Sequence, residues 1–387
     1  WSTAITRIPG TKVDIFTRSL NPNFRRVKVI SPNIRIIHLK AGPESPVDRR
    51  DMYPFIPEFA ENLAHFMEKE EEKYDLIYSH YWLSGLAGLW IKKRFHLPLI
   101  QTYHTLAFLK RKYHDLGREH EKRFEAEEHL ASLSDGIVSS SEQEKRHLVE
   151  YYRIPSDKVR VIYPGVNGKL FHTLSDQIFP EEMEVRKGEC VLLYVGRIEP
   201  VKGLMTVIDA FYLLGERRAS LFDHVKLVVI GGGREHPDLV QNSEVIRIRD
   251  MIEKRRLERK VIFLGSKKQS ELKVYYSAAE ALVVPSLYES FGLVIIEALA
   301  CGTPVIVSRI GEMATIVKEG RNGWTFCPNN PSSLASSIEL FCAQKERLWA
   351  KEKISQDIRG RFSWEKTARQ THDLFKEIFL YHHISTR

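Results

Sequence analysis

Short β-branched runs alternate with longer amphipathic stretches along almost the whole chain. This alternation is typical of parallel strands joined by crossover helices, so the sequence predicts the α/β class. The apolar runs at 191–195, 227–230 and 281–285 are far shorter than the roughly 20 residues that a membrane-spanning helix needs. They are therefore predicted to be strands, and no transmembrane segment is expected.

The bounds of the predicted elements follow the apolar runs and the turn residues between them. The predicted strands are 12–16, 34–38, 76–79, 97–103, 136–139, 159–163, 190–195, 225–230, 261–264, 281–284 and 303–307. The predicted helices are 57–70, 85–94, 118–133, 141–152, 204–214, 294–300 and 363–379.

The alternation is interrupted once, by a polar stretch without periodicity that follows Pro164-Gly165 and ends near Gly188. At about 150 residues per domain, a chain of 387 residues favours two domains over one. We predict a first Rossmann-like domain at 1–176, built on one doubly wound sheet, and a second at 177–362. Residues 363–387 are predicted to form a terminal helix, and the two domains are expected to face each other.

The charge of the chain favours anionic ligands. Lysine and arginine together number 58 against 50 acidic residues, which gives a formal net charge of +8. The basic residues form small dispersed groups rather than a ladder interleaved with aromatic residues. No nucleic-acid partner is therefore expected, and a solvated helical face is the better interpretation of each group.

The cysteines point to reduced thiols. Four cysteines are widely spaced and include no C-x-x-C pair, so neither a zinc site nor a disulfide framework is predicted. No apolar segment followed by a small-residue cleavage site marks a signal peptide near Trp1. A cytoplasmic location is the expectation, and the oligomeric state stays open.

The strand at 190–195 leads into a glycine-bounded loop that carries Arg197 and Lys202. In open α/β sheets, ligands bind outside the carboxyl ends of the strands. Two cations on one such loop can converge on a polyanion, arginine as a planar fork and lysine as a point charge, and a diphosphate fits this arrangement. The alternative is an ordinary strand-to-helix turn with two solvent-exposed side chains.

A second loop follows the strand at 281–284. Ser290 is predicted to cap the next helix and Gly292 to let a ligand approach the backbone, so that N–H groups of the first turn can bind an anion. Glu289 precedes this helix and Glu297 lies two turns along it, about 12 Å away at a rise of about 1.5 Å per residue. One carboxylate can meet a sugar while the other meets a ribose. The alternative is that Glu289 interacts with the helix dipole and Glu297 is a surface residue.

Histidines follow two strands of the first half. The strand at 97–103 gives way to His104, and the strand at 76–79 ends in the run His80-Tyr81-Trp82-Leu83-Ser84-Gly85. A histidine at a strand end can contact a sugar or accept a proton. A hydrogen-bonded structural histidine is the alternative for His104.

Several common site patterns do not occur in the sequence. Neither Asp-x-Asp nor His-Glu-x-x-His is present, so a carboxylate-bound metal is not required. Gly231-Gly232-Gly233 is followed by Arg234-Glu235-His236 rather than by the dinucleotide-binding spacing, which removes the main support for a dehydrogenase. A serine hydrolase is disfavoured because no Gly-x-Ser-x-Gly run occurs.

Taken together, these residues resemble the retaining glycosyltransferases of family 4, over essentially the whole chain. The most specific pieces are Gly196-Arg197 with Lys202-Gly203, and the run at 285–298, whose two glutamates, Glu289 and Glu297, have the spacing found in the family. The resemblance implies the GT-B fold, which consists of two Rossmann-like domains around a cleft, with a terminal helix that crosses back to the first domain.

By that resemblance, the donor is a nucleotide diphosphate sugar, expected to be a UDP-hexose, and neither a metal nor another cofactor is needed. Arg197 and Lys202 would bind the diphosphate, Glu289 the sugar hydroxyls and Glu297 the ribose. His104 would contact the donor sugar near the reaction centre. The implied catalytic residues are His104, Arg197, Lys202 and Glu289. The implied donor-binding residues are Arg197, Lys202, Glu289, Ser290, Phe291, Gly292, Leu293 and Glu297.

The runs at 79–85 and 103–107 look most like the branch of the family that glycosylates inositol phosphate, with sucrose-phosphate synthases as close neighbours. The residues that hold the acceptor phosphate in that branch correspond here to Arg49, Tyr81, Thr105 and Arg123, and Arg49 replaces the branch's lysine. Arg123 can also pair with Glu119 or Glu127 of its own helix, which leaves a structural role open. Family members begin with a strand and a Gly-Gly loop, whereas this sequence begins within what would be the following helix.

The sequence therefore predicts transfer of a hexose from a nucleotide diphosphate sugar to a hydroxyl of a small phosphorylated acceptor, with retained anomeric configuration. Two alternatives stay open. One is glycosylation of a sugar phosphate, as in sucrose-phosphate synthases. The other is a non-catalytic nucleotide-sugar-binding protein on the same fold.

Overall fold

The computed structural model describes residues 1–71, 73–113, 119–175, 178–186, 188–232, 243–344 and 350–385. The chain divides into two compact units, unit 1 with Trp1–Gly165 and Trp364–Arg387, and unit 2 with Val166–Ser363. The division falls at Val166 because its N–H donates to the Phe362 carbonyl at 2.9 Å, which ties the start of unit 2 to its end. The predicted boundary between 176 and 177 lies on residues outside the described part.

The helices and strands confirm the predicted α/β class. The strands are β1 (Val13–Arg18), β2 (Val27–Ser31), β3 (Ile34–Leu39), β4 (Ile77–His80), β5 (Leu99–Thr102), β6 (Gly136–Ser139), β7 (Val159–Val161), β8 (Cys190–Val195), β9 (Val225–Ile230), β10 (Val261–Phe263), β11 (Ala281–Val284), β12 (Val305–Ser308) and β13 (Gly323–Phe326). The α-helices are α1 (Ser2–Ile5), α2 (Ile56–Lys69), α3 (Tyr81–Phe95), α4 (Ala107–Tyr113), α5 (Glu119–Leu133), α6 (Glu142–Tyr152), α7 (Leu204–Arg217), α8 (Ala219–Phe222), α9 (Ser243–Lys254), α10 (Gln269–Ala278), α11 (Leu293–Ala300), α12 (Gly311–Ile316), α13 (Pro331–Ala343), α14 (Lys351–Arg361) and α15 (Trp364–Ser385). Two predictions, the helix start at Arg118 and the residues from Gly233 to His236, fall outside the described part.

The prediction of one doubly wound sheet in the first half is wrong for the described residues. Unit 1 contains a three-stranded sheet in the order β1-β3-β2 and a separate, fully parallel sheet in the order β4-β5-β6-β7. β1 pairs with β3 in parallel, but β2 is antiparallel to β3. β2, which the sequence did not predict, turns back into β3 at Pro32-Asn33 and occupies its second side.

The amphipathic helix α2 packs against the three-stranded sheet of unit 1. α2 buries a face that includes Leu63, Phe66 and Met67 against Ile37 and Leu39 of β3. Burial of each such large apolar side chain contributes about 1.5–3 kcal/mol.

The terminal helix is part of unit 1. Ala368 of α15 packs on Ala4 and Ile5 of α1, and Leu374 packs on Ile100 of β5. Among the described residues, none of the helices combines the length and the apolar character needed to cross a bilayer.

Unit 2 is built on one parallel sheet in the order β10-β9-β8-β11-β12-β13. Its first strand, β8, lies in the middle of the sheet. The next two strands, β9 and β10, extend the sheet on one side of β8, and β11 then pairs with the other side of β8. The strand order therefore reverses between β8 and β11. In sheets of this kind, the crevice at the carboxyl ends of these two strands is where ligands bind.

Candidate functional site

The loops that follow β8 and β11 are held together by their backbones. The Leu287 N–H donates to the Val201 carbonyl at 2.8 Å. Gly203 has a φ of +70°, and a Cβ there would collide with the Pro285 carbonyl oxygen. Only glycine fits both requirements. The two loops therefore form one surface at the point where the strand order reverses.

Two of the predicted site residues meet on this surface. The Lys202 Nζ lies 2.5 Å from a carboxylate oxygen of Glu289, and the two side chains are 17% and 20% exposed. Arg197 extends toward Glu199 instead, with 2.6 Å between the charged groups and 55% of its side chain exposed. The loop of Arg197 is anchored because Tyr194 Oη donates to the Arg197 carbonyl at 2.8 Å. The surface thus presents a partly buried ion pair beside a more exposed arginine.

The predicted cap of the following helix is wrong. α11 begins at Leu293, and its N-cap is Gly292 with a φ of +87°, while the Ser290 hydroxyl lies 3.3 Å from the Tyr288 hydroxyl. Glycine fits the N-cap because few other residues adopt this left-handed conformation without strain. Phe291 is buried, with its ring centroid 5.6 Å from that of Phe362.

Glu297 lies on the face of α11 that packs against α10. It is only 6% exposed, so the interpretation as a surface residue is wrong. Its oxygens accept hydrogen bonds from Gln269 Nε2 at 2.8 Å and from Tyr276 Oη at 3.0 Å. Burial raises the pKa of this carboxyl, because the two neutral donors only partly replace the lost water.

The four residues expected to bind the acceptor phosphate come together in unit 1. Arg123 Nη1 donates to Tyr81 Oη at 3.2 Å, and Nη2 donates to the carbonyl and the hydroxyl of Thr105 at 2.6 and 3.0 Å. The guanidinium carbons of Arg123 and Arg49 lie 5.0 and 5.4 Å from the centre of the Tyr81 ring. Arg49 is exposed. We refer to these four residues as the arginine–tyrosine cluster.

The structure confirms that Arg123 pairs with Glu127 of its own helix, and its role toward an acceptor phosphate stays a prediction. Besides its contacts in the cluster, its Nε donates to Glu127 Oε1 at 2.7 Å, and the two side chains are 3% and 0% exposed. Glu127 also accepts from the Ala107 N–H at 2.8 Å and from Tyr152 Oη at 2.5 Å. The sequence had suggested Glu127 only as a helical neighbour. Its buried carboxylate links α5 to the start of α4 and to α6.

His104 lies beside a second histidine that the sequence did not single out as a partner. His80 Nδ1 and His104 Nε2 are 2.9 Å apart, and the rings are nearly parallel, with 17° between their planes. The two residues follow neighbouring parallel strands, since His80 of β4 pairs in register with Thr102 of β5. That adjacency of strand ends is the signal in the sequence that would have found the pair.

The described residues contain no group of three or more His, Cys, Asp or Glu side chains that could hold a metal ion. Lysine, arginine and helix N-termini bind phosphate oxygens, and carboxylates accept hydrogen bonds from hydroxyls.

Comparisons with known proteins cover both units. Residues 7–169 match the family model described as Glycosyltransferase Family 4, and residues 175–356 match the one described as Glycosyl transferases group 1. The chain is 32% identical over 373 residues to the D-inositol 3-phosphate glycosyltransferase of Corynebacterium glutamicum (strain R), with 95% of this chain and 88% of the relative covered. It is 31% identical over 376 residues to the protein of the same name from Thermobispora bispora, with 95% and 86% covered. Among solved structures, sucrose-phosphate synthase from Thermosynechococcus elongatus superimposes with a TM-score of 0.85 at 31% identity, covering 98% of this chain and 92% of that one.

Proposed function

This chain belongs to family 4 of the glycosyltransferases, with the GT-B fold, and on that premise we propose that it transfers a hexose from a nucleotide diphosphate sugar to a hydroxyl of a small phosphorylated acceptor. The observation that carries the proposal is the Lys202–Glu289 pair at the reversal point of the unit 2 sheet. It offers a cation for a phosphate and a carboxylate for sugar hydroxyls at the edge where such sheets bind nucleotides.

The donor residues have distinct tasks in this proposal. As the bond between the sugar and the diphosphate breaks, negative charge grows on the departing phosphate oxygen. Lys202 and Arg197 interact more strongly with that charge than with the intact donor, which lowers the barrier. The N–H groups at the start of α11 add to this effect. Glu289 accepts hydrogen bonds from the sugar hydroxyls, and Glu297 from the ribose.

The acceptor residues differ in how much of their hydrogen-bonding capacity is free. A guanidinium has five N–H donors, and Arg123 directs its three nitrogens at Glu127, Tyr81 and Thr105. Arg123 therefore mainly orients the Tyr81 and Thr105 hydroxyls toward a phosphate. The exposed Arg49, stacked on Tyr81, is the cation that contacts the phosphate directly.

The transfer itself needs no protein nucleophile. The acceptor oxygen forms a bond to the anomeric carbon on the face from which the diphosphate leaves, and its proton passes to the departing phosphate oxygen. The anomeric configuration is thereby retained. The positive groups around the diphosphate replace a divalent metal in neutralising its charge.

We expect the transfer rate to be unchanged by excess EDTA, because cationic side chains supply the charge that a metal would provide. The measurement is the initial rate of product formation before and after removal of free divalent cations. Loss of activity in EDTA that is restored by Mg²⁺ or Mn²⁺ would contradict the metal-free mechanism.

Arg49→Ala is expected to raise the KM for a phosphorylated acceptor by about tenfold or more, because a charge-assisted contact of about 1.5–3 kcal/mol is lost. The KM for the unphosphorylated analogue and for the donor should hardly change. Arg50→Ala is the matched control, since the neighbouring Arg50 pairs with Asp48 at 3.0 Å. Equal effects of the two substitutions would show that Arg49 has no special role.

The acceptor admits a second candidate. The sucrose-phosphate synthase neighbour is as similar in sequence to this chain as the inositol-phosphate enzymes are, so a sugar phosphate is an alternative to inositol phosphate. Both acceptors carry the phosphate for which the arginine–tyrosine cluster is suited.

A matrix of donors and acceptors tests the function. UDP-, GDP- and ADP-hexoses are each incubated with inositol phosphate, glucose phosphate, fructose phosphate and their neutral counterparts, and products are identified by mass spectrometry. We expect product with a UDP-hexose and a phosphorylated acceptor only. Tight binding of a nucleotide sugar without product from any acceptor would favour the non-catalytic alternative.

A further inference from the structure

We propose that His80 is a positioning residue, whose hydrogen bond to His104 fixes the ring orientation and the tautomer of His104. The inference rests on the proposed function and on the role that the family resemblance implies for His104, which is contact with the sugar that is transferred. His80 itself does not contact substrate in this proposal. It acts only through His104.

The local backbone holds the two rings at a defined separation. Parallel pairing of β4 with β5 places His80 opposite Thr102. Thr102 lies two residues before His104 in the chain. His104 has a φ of +63°, and Tyr81, directly after His80, has a φ of +73°. Left-handed backbone of this kind is strained for residues other than glycine and persists only where the surroundings impose it. The two strand ends therefore bring the rings together at an energetic cost, which is typical of functional positions.

Both residues are exposed, and the contacts of their rings limit how these rings can turn. His80 Nδ1 and His104 Nε2 are 2.9 Å apart, with ring centroids at 5.1 Å. His80 is held from its other side by the Tyr78 ring, whose centroid is 4.3 Å away, and Tyr78 Oη is bonded to Thr102 Oγ1 at 2.9 Å. A fixed His80 therefore determines the direction in which His104 can form this bond.

The protonation of the pair is consistent with this role. Partial burial of the ring and the neighbouring His104 lower the pKa of His80 to about 4, and partial burial also lowers the pKa of His104, although both residues keep exposed surface. Both rings are therefore neutral near pH 7. In a hydrogen bond between two neutral imidazoles, one nitrogen donates and the other accepts, so the tautomer of His80 determines that of His104.

Two substitutions separate the hydrogen bond from the packing of His80. His80→Phe keeps an aromatic ring against Tyr78 but removes the bond, whereas His80→Asn places an amide near the position of Nδ1 and can restore it. We expect His80→Phe to lower kcat by up to about 100-fold, the size of effect that misplacement of a reacting group produces. The KM for donor and acceptor should hardly change. His80→Asn should recover most of the loss, and His65→Phe, at an exposed histidine of α2, is the matched control.

A spectroscopic measurement tests the positioning without any substrate. The full chain is labelled with ¹⁵N-histidine, His104 is assigned from the spectrum of His104→Gln, and long-range ¹H–¹⁵N correlations report its tautomer. We expect a single neutral tautomer in the wild type and a mixture in His80→Phe. Thermal unfolding of each variant shows whether it is folded.

The possible outcomes separate this inference from the proposed function. A mixture of His104 tautomers in the wild type, or a tautomer unchanged in His80→Phe, would overturn the positioning role even if the enzyme is active. A wild type that transfers no sugar from any donor would overturn the proposed function, while the tautomer spectra would still decide whether His80 orients His104. A normal kcat in folded His80→Phe would show that the orientation does not serve transfer.

Discussion

Lys202→Ala is expected to slow sugar transfer by about 10- to 150-fold, which corresponds to the loss of a charge-assisted contact of about 1.5–3 kcal/mol to the leaving diphosphate. The substitution also removes the cation that lies 2.5 Å from Glu289. The unpaired carboxylate then repels the phosphates. Arg197→Ala should slow sugar transfer by more than tenfold, because it also removes a charge-assisted contact to the leaving diphosphate. The measurement is kcat/KM for the donor at saturating acceptor.

Lys254→Ala, at an exposed position at the end of α9, is the control for a general effect of removing positive charge from unit 2. It should leave the rate unchanged. Rates close to wild type in both Lys202→Ala and Arg197→Ala would end the assignment of this loop to the diphosphate.

Arg123→Ala is expected to lower the free energy of unfolding by about 3–5 kcal/mol, because it leaves the carboxylate of Glu127 buried without its cation. Glu127 is 0% exposed and lies 2.7 Å from Arg123 Nε. Chemical denaturation of the full chain, followed by tryptophan fluorescence, measures the change. This is the largest effect on stability that we expect from a single substitution in unit 1.

The double variant Arg123→Met with Glu127→Gln separates stability from recognition. Removing both charges of a buried pair is often close to neutral for stability. The double variant should therefore fold nearly as well as the wild type, yet lose its preference for phosphorylated over neutral acceptors. An equal loss of activity on both kinds of acceptor would show that Arg123 is structural only and would leave the acceptor class open.

The strands of unit 2 were predictable because a parallel strand buried on both faces is a continuous apolar run. The predicted bounds of β8, β9 and β11 agree with the structure at both ends. β2 was missed because Lys28, Val29 and Ile30 are all exposed, so their side chains follow no alternation. Its antiparallel pairing with β3 depends on the turn at Pro32-Asn33, which is a local hairpin signal and not part of the strand–helix alternation.

The loops of the candidate site could be predicted, but the partners within them could not. The position of Lys202 and Glu289 follows from the rule that ligands bind at the carboxyl ends of strands. Their contact joins residues 87 positions apart and depends on the pairing of β8 with β11, which no local pattern encodes. The cap at Gly292 instead of Ser290 was missed because a left-handed residue is visible only in the backbone. The roles of these residues in binding and catalysis stay predictions.

Unit 1 is built from two separate stretches of chain, and this determines when it can fold. Unit 2 is one continuous segment and has all of its residues before α15 is synthesised. Unit 1 lacks its last helix until then, since the Trp1 indole donates to the Thr371 hydroxyl across 370 positions, and Ala368 covers Ala4 and Ile5. Contacts so distant in sequence form late because the entropy of closing the intervening chain must be overcome first. On the ribosome, the second half of the molecule therefore matures first, and the first half stays incomplete until α15 has left the exit tunnel.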